Sequence, residues 1–255
     1  MLKKRFILCL LLKDRYFMNS HNFKLQTVGN IETVTQYLNF EIIDELVILN
    51  ADRQNKDVKH LAEIVREISK KCFVPITAGG GVSKTEDFNM LLRSGADKVA
   101  INTSAFENRE LVIESSEIFG SQCVVASIDA KKEKGHYTVY VKNGSLNINK
   151  NPVEWAKELE KLGAGEIFLT SIDRDGTGQG YDTELINSVA SAVKIPLIAS
   201  GGVGEFQHLV DGIIEGGISA VSAANIFHFI GEGMFKAKVY MGRSGLEFPH
   251  TLWNF

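Results

Sequence analysis

The residues of this sequence able to move a proton or hold an anion fall at the ends of short apolar runs. Asp129 closes the run VVASIDA. A carboxylate partly buried at such a point has its pKa raised toward neutrality, as a general acid or base requires; the competing reading is a salt bridge to Lys131. Asp175 lies in the loop Asp173-Arg174-Asp175-Gly176-Thr177, where it either shares that chemistry or caps a turn through its side chain. Glycine pairs follow two other runs, as Gly80-Gly81 and Gly201-Gly202. Glycine lets backbone N–H groups approach an anion closely, and the following helix N-terminus adds the positive end of its dipole. One pair would read equally well as a tight turn. Two pairs, accompanied by Asn102-Thr103 and by Ala224-Asn225 at neighbouring run ends, predict a ligand with a phosphate at each end. Asn50, Thr170, Gly176 and Ser200 complete the set of candidate ligand-binding residues.

A second group of charges sits where apolar runs begin. Arg5 precedes FILCLLL, Glu45 precedes LVILN, Lys98 precedes VAIN and Glu166 precedes IFLT. A single charge at a strand start is normally solvated, but two cations and two anions at matching positions can neutralise one another as a ring. The six histidines show no metal-ligand spacing, and His60 and His208 are expected on helix surfaces. Cys9, Cys72 and Cys123 read as buried free thiols. No metal or cofactor is expected.

Positioning these residues requires alternating strands and helices. Eight short runs rich in β-branched residues can be counted: Phe6–Leu12, Leu46–Leu49, Ile76–Ala78, Val99–Ile101, Cys123–Ile128, Ile167–Ser171, Leu197–Ser200 and Ala220–Ala223. Helical periodicity fills segments between them, at Val58–Lys71, Lys84–Ser94, Pro152–Leu162 and Thr183–Ala192. Eight βα units in 255 residues predict a single α/β domain, a (β/α)8 TIM barrel, whose strand ends form the active face. Residues 13–32 read as a long polar connection, and residues 134–149 as a hairpin around Asn143-Gly144.

The barrel also repeats itself. ELVILNADR (45–53) matches EIFLTSIDR (166–174), and VPITAGGGV (74–82) matches IPLIASGGV (195–203), both at an offset of 121. RFILCLLLK (5–13) aligns with the fifth run at an offset of 118, which sets Leu11 against Asp129. The chain is therefore read as two similar half-barrels.

Composition excludes several classes. A net charge of −3 and 44% apolar residues describe an ordinary globular protein with no nucleic-acid footprint. Its longest apolar run, Phe6–Leu12, is far short of the ~20 residues of a membrane span, and a cytoplasmic location is expected.

The motifs DELV, AGGGV, GADKVAINT, FGSQ, SIDAK, LTSIDRDGTGQGYD and IASGGVG resemble one family, the HisF cyclase subunit of imidazole glycerol phosphate synthase, over residues 2–228. The resemblance implies a barrel that joins ammonia to a bisphosphorylated nucleotide. It also implies a heterodimer with a HisH-type glutaminase docked on the strand-start face. Arg5, Glu45, Lys98 and Glu166 match the family's ammonia gate, and Asp97 matches a residue facing the glutaminase. Asp129 matches one of its two catalytic aspartates.

The other aspartate position is Leu11, in CLLLKDR, and a leucine transfers no proton. The family's lysine in the loop after strand one falls at Asn19, the next glycine at Ser20, and the strand-two aspartate at Asn50. Residues 229–255 also leave the pattern. With Phe229, Phe235, Tyr240, Phe248, Trp253 and Phe255, this tail reads as a docking surface. The resemblance thus implies a divergent second copy that passes ammonia to another acceptor, for amidination of a sugar in surface-polysaccharide synthesis, with a third amidotransferase component. The alternatives are the ordinary histidine-pathway cyclase and a non-catalytic scaffold for the glutaminase.

Overall fold

The computed structural model describes residues 3–32, 42–228 and 233–248. Eight parallel strands close on themselves: β1 (Arg5–Lys13), β4 (Glu45–Asn50), β5 (Ile76–Gly79), β6 (Lys98–Ile101), β7 (Val124–Glu133), β10 (Glu166–Ser171), β11 (Leu197–Ser200) and β12 (Ala220–Ala223). Each pairs with the next, and β12 returns to β1 with Arg5 beside Ala220. The chain is a closed (β/α)8 barrel.

Alternation along β1 shows why an apolar run makes a barrel wall. Ile7 and Cys9, with Leu11 beside them, join an inner cluster containing Val47, Ala100, Val125, Phe168 and Ile198. Phe6, Leu8, Leu10 and Leu12 belong to a separate cluster shared with the helices. Successive side chains face opposite sides, so both faces of the strand must be apolar.

The described helices are α1 (Val58–Ser69), α2 (Thr85–Arg93), α3 (Thr103–Glu107), α4 (Glu110–Phe119), α5 (Pro152–Lys161), α6 (Thr183–Ala190), α7 (Phe206–Ile214), α8 (Asn225–His228) and α9 (Gly233–Arg243). Their starts are chemically marked. Asp57 accepts from Lys59 N at 2.9 Å, and Asn151 accepts from Val153 N at 2.8 Å just ahead of Pro152. On α1, Leu61, Ile64, Val65 and Ile68 are buried, each stabilising the packed helix by about 1.5–3 kcal/mol.

Strand register confirms the half-barrel repeat. Leu11 pairs with Leu49 across β1 and β4, and Asp129 pairs with Thr170 across β7 and β10. These are the residues related by the sequence offsets.

Four readings of the sequence need correction. Residues 13–32 form a hairpin, β2 (Tyr16–His21) and β3 (Lys24–Asn30), which continues antiparallel from β1. Its turn places Asn22 and Phe23 at positive φ, without the Asn-Gly or Asp-Gly signal that marks such turns. Second, β7 runs past Asp129 to Glu133 before turning into β8 (His136–Val141) and β9 (Leu146–Asn147). The Asn143-Gly144 turn stands as expected, joining β8 to β9. Each half-barrel thus carries a hairpin after its first strand. Third, Cys123 lies in a 3₁₀ turn, Ser121–Cys123, ahead of β7, and is only partly buried, unlike Cys9 and Cys72.

Fourth, the described part of the tail is a closing helix rather than a docking surface. α9 buries Met234, Ala237 and Met241, and Phe248 is buried with Lys238 Nζ 5.5 Å from its ring centre. Tyr240 is partly exposed and donates to Gln207 Oε1 at 2.6 Å. Phe229, Trp253 and Phe255 lie outside the described residues. Among the described residues no helix is long and apolar enough to cross a membrane.

Candidate active site

At the strand-end mouth a cavity of about 610 Å³ gathers most of the residues singled out by sequence. Asn50, Gly80, Gly81, Asn102, Thr103, Asp129, Thr170, Asp175, Ser200, Ala224 and Asn225 line it together with Leu11. Gly201 and Gly202 are not among its lining residues, and Gly176 lies in an adjoining cleft with Asn19, Ser20 and His21.

Asp129 occupies the wall of the cavity and accepts a 3.1 Å hydrogen bond from Asn102 Nδ2, which also donates to Ser127 O. Burial pushes the Asp129 carboxyl up to about 7, and the nearby Asp175 carboxylate adds to the rise against the Asn102 bond and Lys56. Such a group exchanges protons near neutral pH. Asp175 is also raised by burial, opposed by hydrogen bonds from Ser20 Oγ at 2.5 Å and Phe23 N at 2.9 Å. The competing reading, a salt bridge from Asp129 to Lys131, is not met: Lys131 pairs with Glu133 instead.

Those bonds to Asp175 fasten the β2–β3 hairpin across the mouth. Asn22 N donates to Asp175 O at 2.9 Å, and Asn225 Nδ2 donates to Ser20 O at 2.7 Å. Gly176 is required by this contact, because a Cβ there would meet Ser20 O at 2.0 Å. The β8–β9 turn closes the other side. Lys142 N donates to Thr103 Oγ1 at 3.0 Å, and Asn143 Nδ2 donates to Ala51 O at 2.7 Å. The two hairpins meet where the Phe23 ring fills the space beside Gly144.

Several candidate residues therefore shape the site as well as line it. The Asn50 amide is engaged by its own loop, donating to Asn55 O at 3.1 Å and accepting from Asp52 N at 3.0 Å. Lys56, Arg53 and Lys142 also line the cavity; none of the three was among the residues expected from sequence, since Lys56 and Lys142 lie in loops without a motif and Arg53 stands out only as the end of the repeated ELVILNADR. Cys9 lies below the mouth, where burial pushes its thiol up to about 12, so it stays protonated and non-nucleophilic.

At the opposite end, where strands begin, Arg5, Glu45, Lys98 and Glu166 form a closed ring. Arg5 reaches Glu45 at 2.7 Å and Glu166 at 2.5 Å; Lys98 reaches Glu166 at 2.8 Å and also contacts Glu45. The Glu45 and Glu166 side chains are only 4% and 6% exposed. Although burial opposes charging Arg5 and Lys98, attraction from Glu166 and Glu45 holds both above their ordinary values. Asp97 is exposed beside this ring, with one carboxylate oxygen accepting from Ile76 N at 2.8 Å.

The sequence matches known proteins along nearly its whole length. A family model described as "Histidine biosynthesis protein" matches residues 5–231. Two relatives from Clostridium botulinum, in strains Okra / Type B1 and Langeland / NCTC 10281 / Type F, are each 40% identical over 250 residues. The match covers 97% of this chain and 99% of each relative, and both are named imidazole glycerol phosphate synthase subunit HisF. With the closed barrel, the repeated halves and a match of this extent, the chain belongs to the HisF family.

Proposed function

We propose that this chain is the synthase subunit of a glutamine-dependent amidotransferase. It takes ammonia from a HisH-type glutaminase at the strand-start floor and adds it to a phosphorylated acceptor at the mouth. One observation carries this reading: a closed ion ring and a carboxylate-bearing cavity occupy opposite ends of the same apolar barrel interior. Apolar side chains flanking the floor support docking there. Phe73 precedes β5, Ile118 lies near the end of α4 and Ile214 ends α7, with exposures of 86%, 63% and 61%.

Within that reading, Leu11 supports an acceptor other than the histidine-pathway nucleotide. It lines the cavity at the place equivalent to Asp129, so the mouth holds one strand-end carboxylate where two would share proton transfer. Amidination of a sugar for surface-polysaccharide synthesis, with a third component completing the reaction, is the assignment we favour. The second reading is the ordinary cyclase, favoured by the names of the relatives and by Asp129 and Asp175 sharing the cavity.

The discriminating experiment is an ammonia-dependent cyclase assay with the histidine-pathway nucleotide. The natural chain should run 10²–10⁴-fold below an ordinary cyclase, roughly the loss of one proton-transfer group. Leu11→Asp with Asn19→Lys should recover much of it. Turnover of the natural chain equal to an ordinary cyclase's would restore the histidine-pathway assignment.

A further inference from the structure

The two glycine pairs are built alike, each with an arginine of the repeat nearby, Arg53 in the first half and Arg174 against Gly202 in the second, but only the first has a lysine as well. Gly81 has φ +87°, and a Cβ on it would meet Lys56 O at 2.3 Å. Its repeat partner Gly202 has φ +109°, and a Cβ there would meet Gly180 O at 2.0 Å. Lys56 and Gly180 therefore occupy the same station, each laying its carbonyl over the second glycine of a pair. That backbone contact needs no side chain, since glycine makes it in the second half. The lysine side chain is an addition to the first half alone.

The position of that side chain suggests what it is for. Lys56 is half-buried and lines the cavity, with Nζ 2.8 Å from Asn50 O and 3.3 Å from Asn143 Oδ1. Both partners are neutral oxygens. Among the described residues no carboxylate lies within salt-bridge distance of it, although Asp52 and Asp129 attract it more weakly. Burial is the main reason its pKa falls to about 8. An ammonium taken partly out of water without a paired anion is costly. Arg53 sits on the same rim, donating to Asn143 O at 2.9 Å, and adds a second cation that repels Lys56. Lys142, also on this rim, is offset by Glu107 at 3.0 Å.

We propose that Lys56 is an anion-binding residue. It pairs with the more highly charged phosphate end of the ligand at Gly80-Gly81 and Asn102-Thr103, while the second cradle, with Gly180 at the matching station, takes the less charged end. The inference rests on the reading that the acceptor is phosphorylated. It adds a direction: the ligand lies across the mouth with its greater negative charge, a phosphate dianion or a diphosphate, toward the first half-barrel. Lysine is suited to this as a compact point charge on a flexible stem.

Calorimetric titration of the full chain with inorganic phosphate and with pyrophosphate tests it. The natural protein should bind pyrophosphate more tightly than phosphate. Lys56→Met, which keeps the stem, should lose about tenfold or more of the pyrophosphate affinity, the usual scale of a charge-assisted bond, and Lys56→Arg should retain most of it. Circular dichroism of Lys56→Met should match the natural chain. Pyrophosphate affinity unchanged in Lys56→Met would overturn the role of Lys56 and leave the phosphorylated acceptor standing. Failure of the natural chain to bind either anion would overturn both. Loss of affinity in Lys56→Arg equal to that in Lys56→Met, or an altered fold in Lys56→Met, would mark the residue as structural and also overturn the proposal.

Discussion

The floor and the mouth of this barrel handle buried charge in opposite ways. On the floor two cations and two anions meet in a closed ring, so every charge is answered within the protein. At the mouth Asp129 and Asp175 are both pushed up by burial, and Lys56 is pushed down. The mouth pairs its charges incompletely. A set of charges that is complete without a ligand stabilises the fold, whereas an incomplete one is a site prepared for something that arrives. The repeat sharpens the contrast, because both ends are shared unequally between the halves. Arg5, Glu45 and Lys98 come from the first half and only Glu166 from the second; Asp129 comes from the second half, with Leu11 opposite.

If this contrast is correct, substitutions at the two ends should change stability with opposite signs. The largest effect is expected from Lys98→Met, which leaves two nearly buried glutamates facing one arginine. Breaking such a set costs about 3–5 kcal/mol, to be read by urea unfolding at neutral pH. A loss below about 1 kcal/mol would show that the ring behaves as a surface network.

Asp129→Asn should act the other way. The folded-state pKa of Asp129 is about 7 against an ordinary 3.8, so the carboxyl binds its proton more tightly when folded. Its penalty is absent below about pH 4, grows as pH rises through the interval and is complete above 7. The variant escapes this penalty. At pH 8 it should exceed the natural chain by roughly 2–4 kcal/mol, with the advantage shrinking toward pH 5. A difference independent of pH would mean that the carboxyl titrates at its ordinary value.

The smallest expected effect concerns docking on the floor. Asp97→Lys should weaken association with the cognate glutaminase by about tenfold, since an exposed charge facing a partner is reversed. Because Asp97 also accepts from Ile76 N, the unfolding midpoint of the variant must be measured beside the affinity. No complex and no change in glutaminase rate with the natural chain would remove the partner altogether.

Much of this architecture was legible in the residues because two signals reinforced each other. Apolar alternation locates the strands, and the 121-residue repeat ties Gly80-Gly81 to Gly201-Gly202 from the residues alone. The β2–β3 hairpin escaped notice for a definite reason. Its strand β2 mixes Phe17 and Met18 with Asn19 and Ser20, and Asn22-Phe23 makes the turn without glycine. Lys56 escaped because its loop is three residues shorter than the loop reaching Gly180. A fixed offset therefore pairs it with Thr177, and only the contacts over Gly81 and Gly202 reveal its counterpart. The extension of β7 beyond Asp129 was hidden by a change of role. Its first residues build the barrel and its last, Lys131 to Glu133, pair with β8.

The fastening of the β2–β3 hairpin onto Asp175 has a consequence for proton traffic. Ser20 and Phe23, which hold that carboxylate, line the same cavity as Asp129. Lifting the hairpin would hydrate both aspartates, lower the proton affinity of Asp129 and release a proton near neutral pH; lowering it would take one up. By linkage, acid then favours the covered mouth and base the open one.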